Sequence, residues 1–173
     1  MIENIGLEIK NFDIEIKKDG RWYHEGGEIK RLGLVKLFAS VLSCDDEGRY
    51  WLTTPVEKGE IQVEDAPFVI QKMRLEGQGR QRCVILTDNL DRDFTISSAY
   101  PLDMRAQQQE GMRPYLRLES GLSALIKHSV FYELAELALG SEETDGGAFG
   151  FWSDGVWHVL EDIAEAEAQD RLS

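Results

Sequence analysis

Alternation of apolar and polar side chains marks the first predicted element. Phe12-Asp13-Ile14-Glu15-Ile16-Lys17 places its apolar members on one face of a strand. Lys18-Asp19-Gly20 turns that strand, residues 21–24 return as its partner, and Gly26-Gly27 ends the hairpin. The stretch Asp19-Gly20-Arg21-Trp22-Tyr23-His24 is echoed by Ser153-Asp154-Gly155-Val156-Trp157-His158. In both, Asp-Gly tolerates the positive φ angles of a tight two-residue turn, and a Trp follows two positions after the Gly. The echo predicts two hairpins, each planting a large ring on a small sheet, and hence two related halves.

From residue 29 to 42 the period becomes helical. Leu34, Leu37, Phe38, Val41 and Leu42 form a stripe that Leu32 and Val35 widen. Gly33 costs such a helix roughly 1 kcal/mol against Ala, which predicts a neighbour packed close to it. Asp45-Asp46-Glu47-Gly48 forces a solvated turn. Residues 49–54 and 59–63 read as strands, the first stopped by Pro55. Residues 68–75 and 82–87 read as a hairpin joined through Gly77-Gln78-Gly79, and a short strand follows around Phe94-Thr95-Ile96. Residues 103–114 present no apolar face, which predicts a poorly ordered loop. After a strand at 115–118, Leu122, Ile126, Val130, Leu134 and Leu137 predict helix from Gly121 to Leu139. A break at Lys127-His128-Ser129 would let Ser129 cap its second part. Residues 141–147 read as an acidic loop, 149–152 and 156–160 as the second hairpin, and 161–173 as a short acidic helix.

These elements predict an α+β protein of two related small domains, an internal duplication. The sheets are mostly antiparallel, each with a packed helix. The expected division is 1–64 and 65–173.

Composition narrows the class. With 42% hydrophobic and 29% charged residues the chain is an ordinary globular protein. No run approaches the roughly 18 apolar residues of a membrane helix. Met1-Ile2-Glu3-Asn4 offers neither the basic start nor the apolar core of a signal peptide, so cytoplasmic residence is expected. Cys44 and Cys83 lack Cys-x-x-Cys spacing and read as reduced structural thiols. The net charge of −13 is unevenly spread. Residues 129–173 carry one basic and 11 acidic side chains, whereas 66–128 carry nine basic and seven acidic. Such a field repels long nucleic acids, whose affinity rests largely on phosphate neutralisation, yet admits a small anion over the basic middle segment.

Few residues carry recognisable chemistry. His24 beside Glu25 has the makings of an acid–base pair, although neighbours along a strand face opposite ways. His128 and His158 are isolated, and three scattered histidines make no metal site. Gly77-Gln78-Gly79-Arg80 lacks the strand-to-helix context of a phosphate loop and reads as a hairpin tip. The acidic groups at 45–47, 88–93 and 142–145 miss calcium-loop spacing. Thr53-Thr54-Pro55-Val56-Glu57-Lys58 and Val63-Glu64-Asp65-Ala66-Pro67-Phe68 set polar groups beside a rigid Pro at strand ends, where either a ligand pocket or a tight chain crossing fits.

At these residues the chain resembles the bacterial domain-of-unknown-function family 1285. The resemblance is carried by Asp19-Gly20-x-Trp22-x-His24-x-Gly26, Leu34-Val35-x-Leu37-Phe38, Thr54-Pro55-x-Glu57, Val63-Glu64-Asp65-Ala66-Pro67-Phe68 and Trp152-Ser153-Asp154-Gly155. It spans nearly the whole chain, with Ser129 standing where that family is expected to favour Pro. It implies two related α+β domains, the C-terminal one like a pleckstrin-homology fold, with no established activity. It also implies a nucleotide-like ligand in an interdomain cleft and a role in signal transduction or transcriptional regulation.

The expectation is therefore a cofactor-free binding or regulatory module for a small anionic ligand. Arg31, Arg74, Arg82 or Arg117 would grip phosphates through bidentate guanidinium contacts. Trp51 or Tyr115 would stack a base, with Thr54 and Glu57 alongside. One alternative is a protein–protein adaptor working through strand edges or the acidic tail. The other is an enzyme of hydrolase type using His24 with Glu25 or Glu57.

Overall fold

Each half is built on one six-stranded sheet made of two three-stranded meanders joined through their inner strands. The computed structural model describes residues 8–107, 111–141 and 149–160. The acidic loop at 141–147 lies almost wholly outside the described residues, and the acidic helix at 161–173 entirely so. Two compact units result: Met1–Phe68 with Leu118–Ser123, and Val69–Arg117 with Ala124–Ser173.

In the first unit, β1 (Glu8–Ile16), β2 (Trp22–His24) and β3 (Gly27–Glu28) precede helix α1 (Leu32–Ser40). Then come β4 (Leu42–Cys44), β5 (Tyr50–Thr53) and β6 (Glu57–Val63). Their order is β3-β2-β1-β6-β5-β4, with β1 parallel to β6. The alternation at 12–16 does what it predicts: Ile14 and Ile16 are buried beside Trp22, Leu52 and Ile61. Between Asn11 and Glu15 the register with β6 shifts, Asp13 adopts φ 48°, and the Asn11 side chain accepts the Asp13 N–H at 2.9 Å.

Helix α1 is shorter than its apolar stripe. Leu42 leaves for β4, and only Val35 and Ala39 are fully buried, while Leu32 and Leu37 face solvent. The neighbour expected near Gly33 is absent: a Cβ there would meet nothing within 4 Å.

The second unit holds β7 (Phe68–Glu76), β8 (Cys83–Asp88), β9 (Asp93–Thr95), β10 (Leu102–Gln107), β11 (Gly111–Arg117) and β12 (Ser123–Ile126). Helix α2 (His128–Leu139) and the hairpin β13 (Gly150–Ser153) and β14 (Val156–Val159) follow. The order β10-β11-β12-β7-β8-β9 becomes that of the first sheet when read from the other edge. This shared strand order is the structural form of the duplication. The helices are placed differently, α1 between the meanders and α2 after the second.

Three sequence expectations change. Of residues 103–114, residues 108–110 lie outside the described residues and the others belong to two antiparallel strands, with Leu102 opposite Leu116 and Ala106 opposite Met112. Its first strand is a sheet edge, where polar residues are tolerated and no apolar face is required. The helix expected from Gly121 is strand β12 followed by α2. Ser123–Ile126 are all buried, and a short, continuously buried run does not tell strand from helix by period. Lys127 occupies the N-cap position of α2, so Ser129 falls inside the first turn and caps nothing.

The Asp-Gly echo does not join equivalent places. Asp154 (φ 52°) and Gly155 (φ 73°) make a two-residue turn between the paired Ser153 and Val156. The first loop is wider: Lys17 N–H donates to Arg21 O at 2.9 Å, and among residues 18–20 only Gly20 has positive φ. It lies within the six-stranded sheet, whereas β13–β14 is a separate two-stranded one.

Candidate functional site

Helix α1 covers one face of the first sheet incompletely and leaves a cavity of about 440 Å³ between them. Its walls are Phe12 and Ile14 from β1, Leu34 and Phe38 from α1, Leu52 from β5, and Ile29 and Val41 beside the helix ends. Only three lining residues are polar: His24, Thr54 and Glu57. The sequence periods account for both walls. Residues 12 and 14 share a strand face, and residues 34 and 38 lie one turn apart on a helix.

One glycine-dependent approach and one ring contact shape the walls. A Cβ at Gly59 would run into the Phe12 ring and stand 2.9 Å from Lys10 O, so β6 needs a bare position where Phe12 crosses it. On the helix side, the Phe38 ring stacks on buried Trp22, with centroids 6.1 Å apart.

The polar residues have their own partners. Thr54 Oγ1 accepts the Glu57 N–H at 3.0 Å and lies 3.2 Å from Glu57 O, pinning the turn between β5 and β6. Lys10 Nζ donates to Glu57 Oε1 at 2.7 Å. His24 Nε2 stands 3.9 Å from Glu25 Oε1, with both side chains more than half exposed. Glu25 occupies the turn between β2 and β3, at φ 50°. The cavity thus brings His24, Thr54 and Glu57 together and leaves Glu25 out of its lining.

The other expected ligand residues are dispersed. Trp51 is on the opposite sheet face, beside a smaller polar depression with Lys10, Asn11, Glu60 and Gln62. Its Nε1 donates to Asp45 Oδ2 at 3.0 Å, and Lys58 Nζ sits 4.6 Å from its ring centroid. The Trp51 bond, followed by the Arg49 backbone N–H, holds the Asp45 carboxyl below its usual range. Arg31 is exposed at the N-cap position of α1.

In the second unit, Arg74 pairs with Asp93 at 3.0 Å and Glu76 at 3.4 Å. Arg117 shares the Asp103 carboxylate with Arg105, at 3.3 and 2.9 Å. Burial alone would raise the Asp103 pKa, but the two guanidinium groups outweigh it and lower it. Tyr115 is fully buried, with Arg105 4.3 Å from its ring centroid, so a base would reach it only by displacing its cover. Arg82 is half-buried just before β8, and its Nε has no hydrogen-bond partner.

Sequence reasoning named the polar members of the cavity but not its apolar wall. The signal was present: Leu34 and Phe38 on one helix face, and Phe12, Ile14 and Leu52 at inward strand positions. What was missing was that a nine-residue helix leaves part of the sheet uncovered.

A duplicated α+β protein with an apolar cavity in its N-terminal half is what fold and site define. The chain belongs to the family described as Domain of unknown function (DUF1285). Residues 7–66 match its N-terminal domain model and residues 67–160 its C-terminal one. A DUF1285 family protein from Silicibacter pomeroyi is 32% identical and superposes with a TM-score of 0.77, covering 91% of this chain and 86% of that one. Another from Shewanella baltica is 28% identical with a TM-score of 0.58, covering 72% and 91%. No curated protein matches the chain. Among the described residues, no helix is long and apolar enough to cross a membrane.

Proposed function

We propose that the protein is a small-molecule-binding module of regulatory type, whose ligand occupies the cavity under α1. The observation that carries this reading is the cavity itself: about 440 Å³ walled by seven apolar side chains, with three polar residues. That size and composition suit a small-molecule site, in which apolar walls supply affinity and a few polar groups set orientation. The fitting ligand has an apolar body and one polar end. A hydroxyl or amide would hydrogen-bond beside Glu57 without breaking the Lys10–Glu57 pair, whereas a carboxylate would compete for Lys10.

A nucleotide needs cationic partners for its phosphates, and no lining residue is Lys or Arg. The anionic, nucleotide-like ligand expected from the sequence therefore finds no cationic partner in this cavity. Signal transduction or transcriptional regulation is the use we propose for binding, with a protein partner reading the loaded state.

The test is a thermal-shift screen of apolar-bodied metabolites beside nucleotides, repeated on Leu34→Trp, which fills the cavity. A ligand at 100 times its Kd stabilises by about 2.7 kcal/mol, several degrees in Tm at this chain length. Hits from the first group that vanish in Leu34→Trp support the reading. Hits that Leu34→Trp leaves untouched would count against it.

A second reading is favoured by one observation: His24 and Glu57 line the same cavity. That arrangement suits proton transfer on a bound substrate. In that case His24→Ala would abolish turnover of a cavity ligand while preserving its binding.

A further inference from the structure

Three N–H donors without an acceptor lie in the second unit on or beside the hairpin β13–β14. Arg82 Nε, Trp152 Nε1 and Trp157 Nε1 are each shielded from solvent, and none has a hydrogen-bond partner. A buried donor left unpaired gives up its bonds to water without replacement, so such groups are rare and each calls for a partner, whether water, ion or ligand.

Their placement follows from the hairpin register. Trp152 stands opposite Trp157, so both indoles lie on one face of β13–β14, edge to face with centroids 5.3 Å apart. Gly150 gives the Trp157 ring its room on that face. A Cβ there would come within 3.0 Å of Trp157 Nε1 and would run into His158 O. Arg82 is tied to the same hairpin because its carbonyl accepts the Asp154 N–H at 2.9 Å. The Arg80 guanidinium sits 5.0 Å from the Trp152 ring centroid.

The opposite face anchors the hairpin. Phe151 and His158 are buried there, and Ser153 Oγ accepts the Val84 N–H at 3.0 Å and donates to Ile96 O at 2.6 Å. Arg82, Trp152 and Trp157 are each only half-buried as whole residues.

We propose that this face of the hairpin binds an oxyanion, the phosphate or carboxylate group of a small ligand. Indole and guanidinium nitrogens donate and never accept, so the missing partner is acceptor-rich. The arginine charges select an anion over a neutral carbonyl. The site belongs to the second unit and stands independently of the cavity under α1.

The experiment follows the four indole N–H resonances of the full-length ¹⁵N-labelled chain, assigned through single Trp→Phe variants. Inorganic phosphate and succinate are titrated separately at constant ionic strength. Saturable shifts of the Trp152 and Trp157 signals, with Trp22 and Trp51 unmoved, are expected from at least one anion. Saturation by phosphate alone or by succinate alone identifies the group. Arg82→Lys keeps the charge but loses the Nε donor and should weaken binding about tenfold. If that variant fails to fold, Trp157→Phe serves, with the Trp152 signal reporting. The proposal is overturned if neither anion gives a saturable shift, if chloride reproduces the shifts, or if both variants bind as tightly as the native chain.

Discussion

The Phe12 ring occupies the space that a side chain at position 59 would need. Two features of the first half meet here: the parallel pairing that sets Lys10 beside Gly59, and a cavity wall that Phe12 supplies. Gly59→Ala should force the ring aside, and the Lys10 carbonyl leaves the new methyl little room. Overpacking of this kind costs about 1–3 kcal/mol. Urea denaturation measures that loss, and any cavity ligand should bind more weakly to the variant.

Gly33 is the opposite case. It lies inside α1, no neighbour approaches its missing Cβ, and its φ is not in the left-handed region. Gly33→Ala should stabilise the protein by about 0.5–1 kcal/mol through helix propensity alone. A neutral or destabilising result in urea would show that a methyl at position 33 meets a neighbour after all.

Asp88 is buried, and its carboxylate holds the turn between β8 and β9. Oδ1 accepts the Leu90 and Arg92 N–H groups at 2.9 and 3.0 Å, and Oδ2 accepts Arg92 Nε and Nη2 at 2.9 and 2.7 Å. Removing it strands two backbone donors, so Asp88→Ala should cost about 2–3 kcal/mol. Asp88→Asn keeps one carbonyl oxygen for the turn and should lose roughly half as much. Denaturation midpoints of the two variants decide the ranking.

Burial pushes the His158 pKa down, against smaller opposing effects of the Ser153 carbonyl and Asp154. Its Nε2, 3.1 Å from Ser153 O, must carry the hydrogen of that bond. The unfolded chain, with the ordinary imidazole value of 6.5, therefore takes up a proton more readily than the folded one. Stability from this group is intact above pH 6.5 and declines as the pH falls toward the lower folded pKa. The advantage of the native chain over His158→Gln should shrink between pH 7 and pH 5. A gap constant with pH would refute the assignment.

Local chemistry made much of this molecule readable from its residues. Alternation at 12–16 predicts β1, Asp154-Gly155 predicts a two-residue turn, and the ordered motifs identify the family. Each depends on neighbours in sequence: side-chain period, positive φ, a Pro at a strand end. Tertiary structure decided the rest. Whether Leu122–Ile126 is helix or strand depends on which partner pairs with it, and 102–107 is a strand because Gly111–Arg117 lies beside it. The parity of β5 sends Leu52 into the cavity and Trp51 to the other face. The uncovered patch that makes the cavity depends on where a short helix comes to rest on a sheet. These outcomes come from long-range pairing and packing, which no local period encodes.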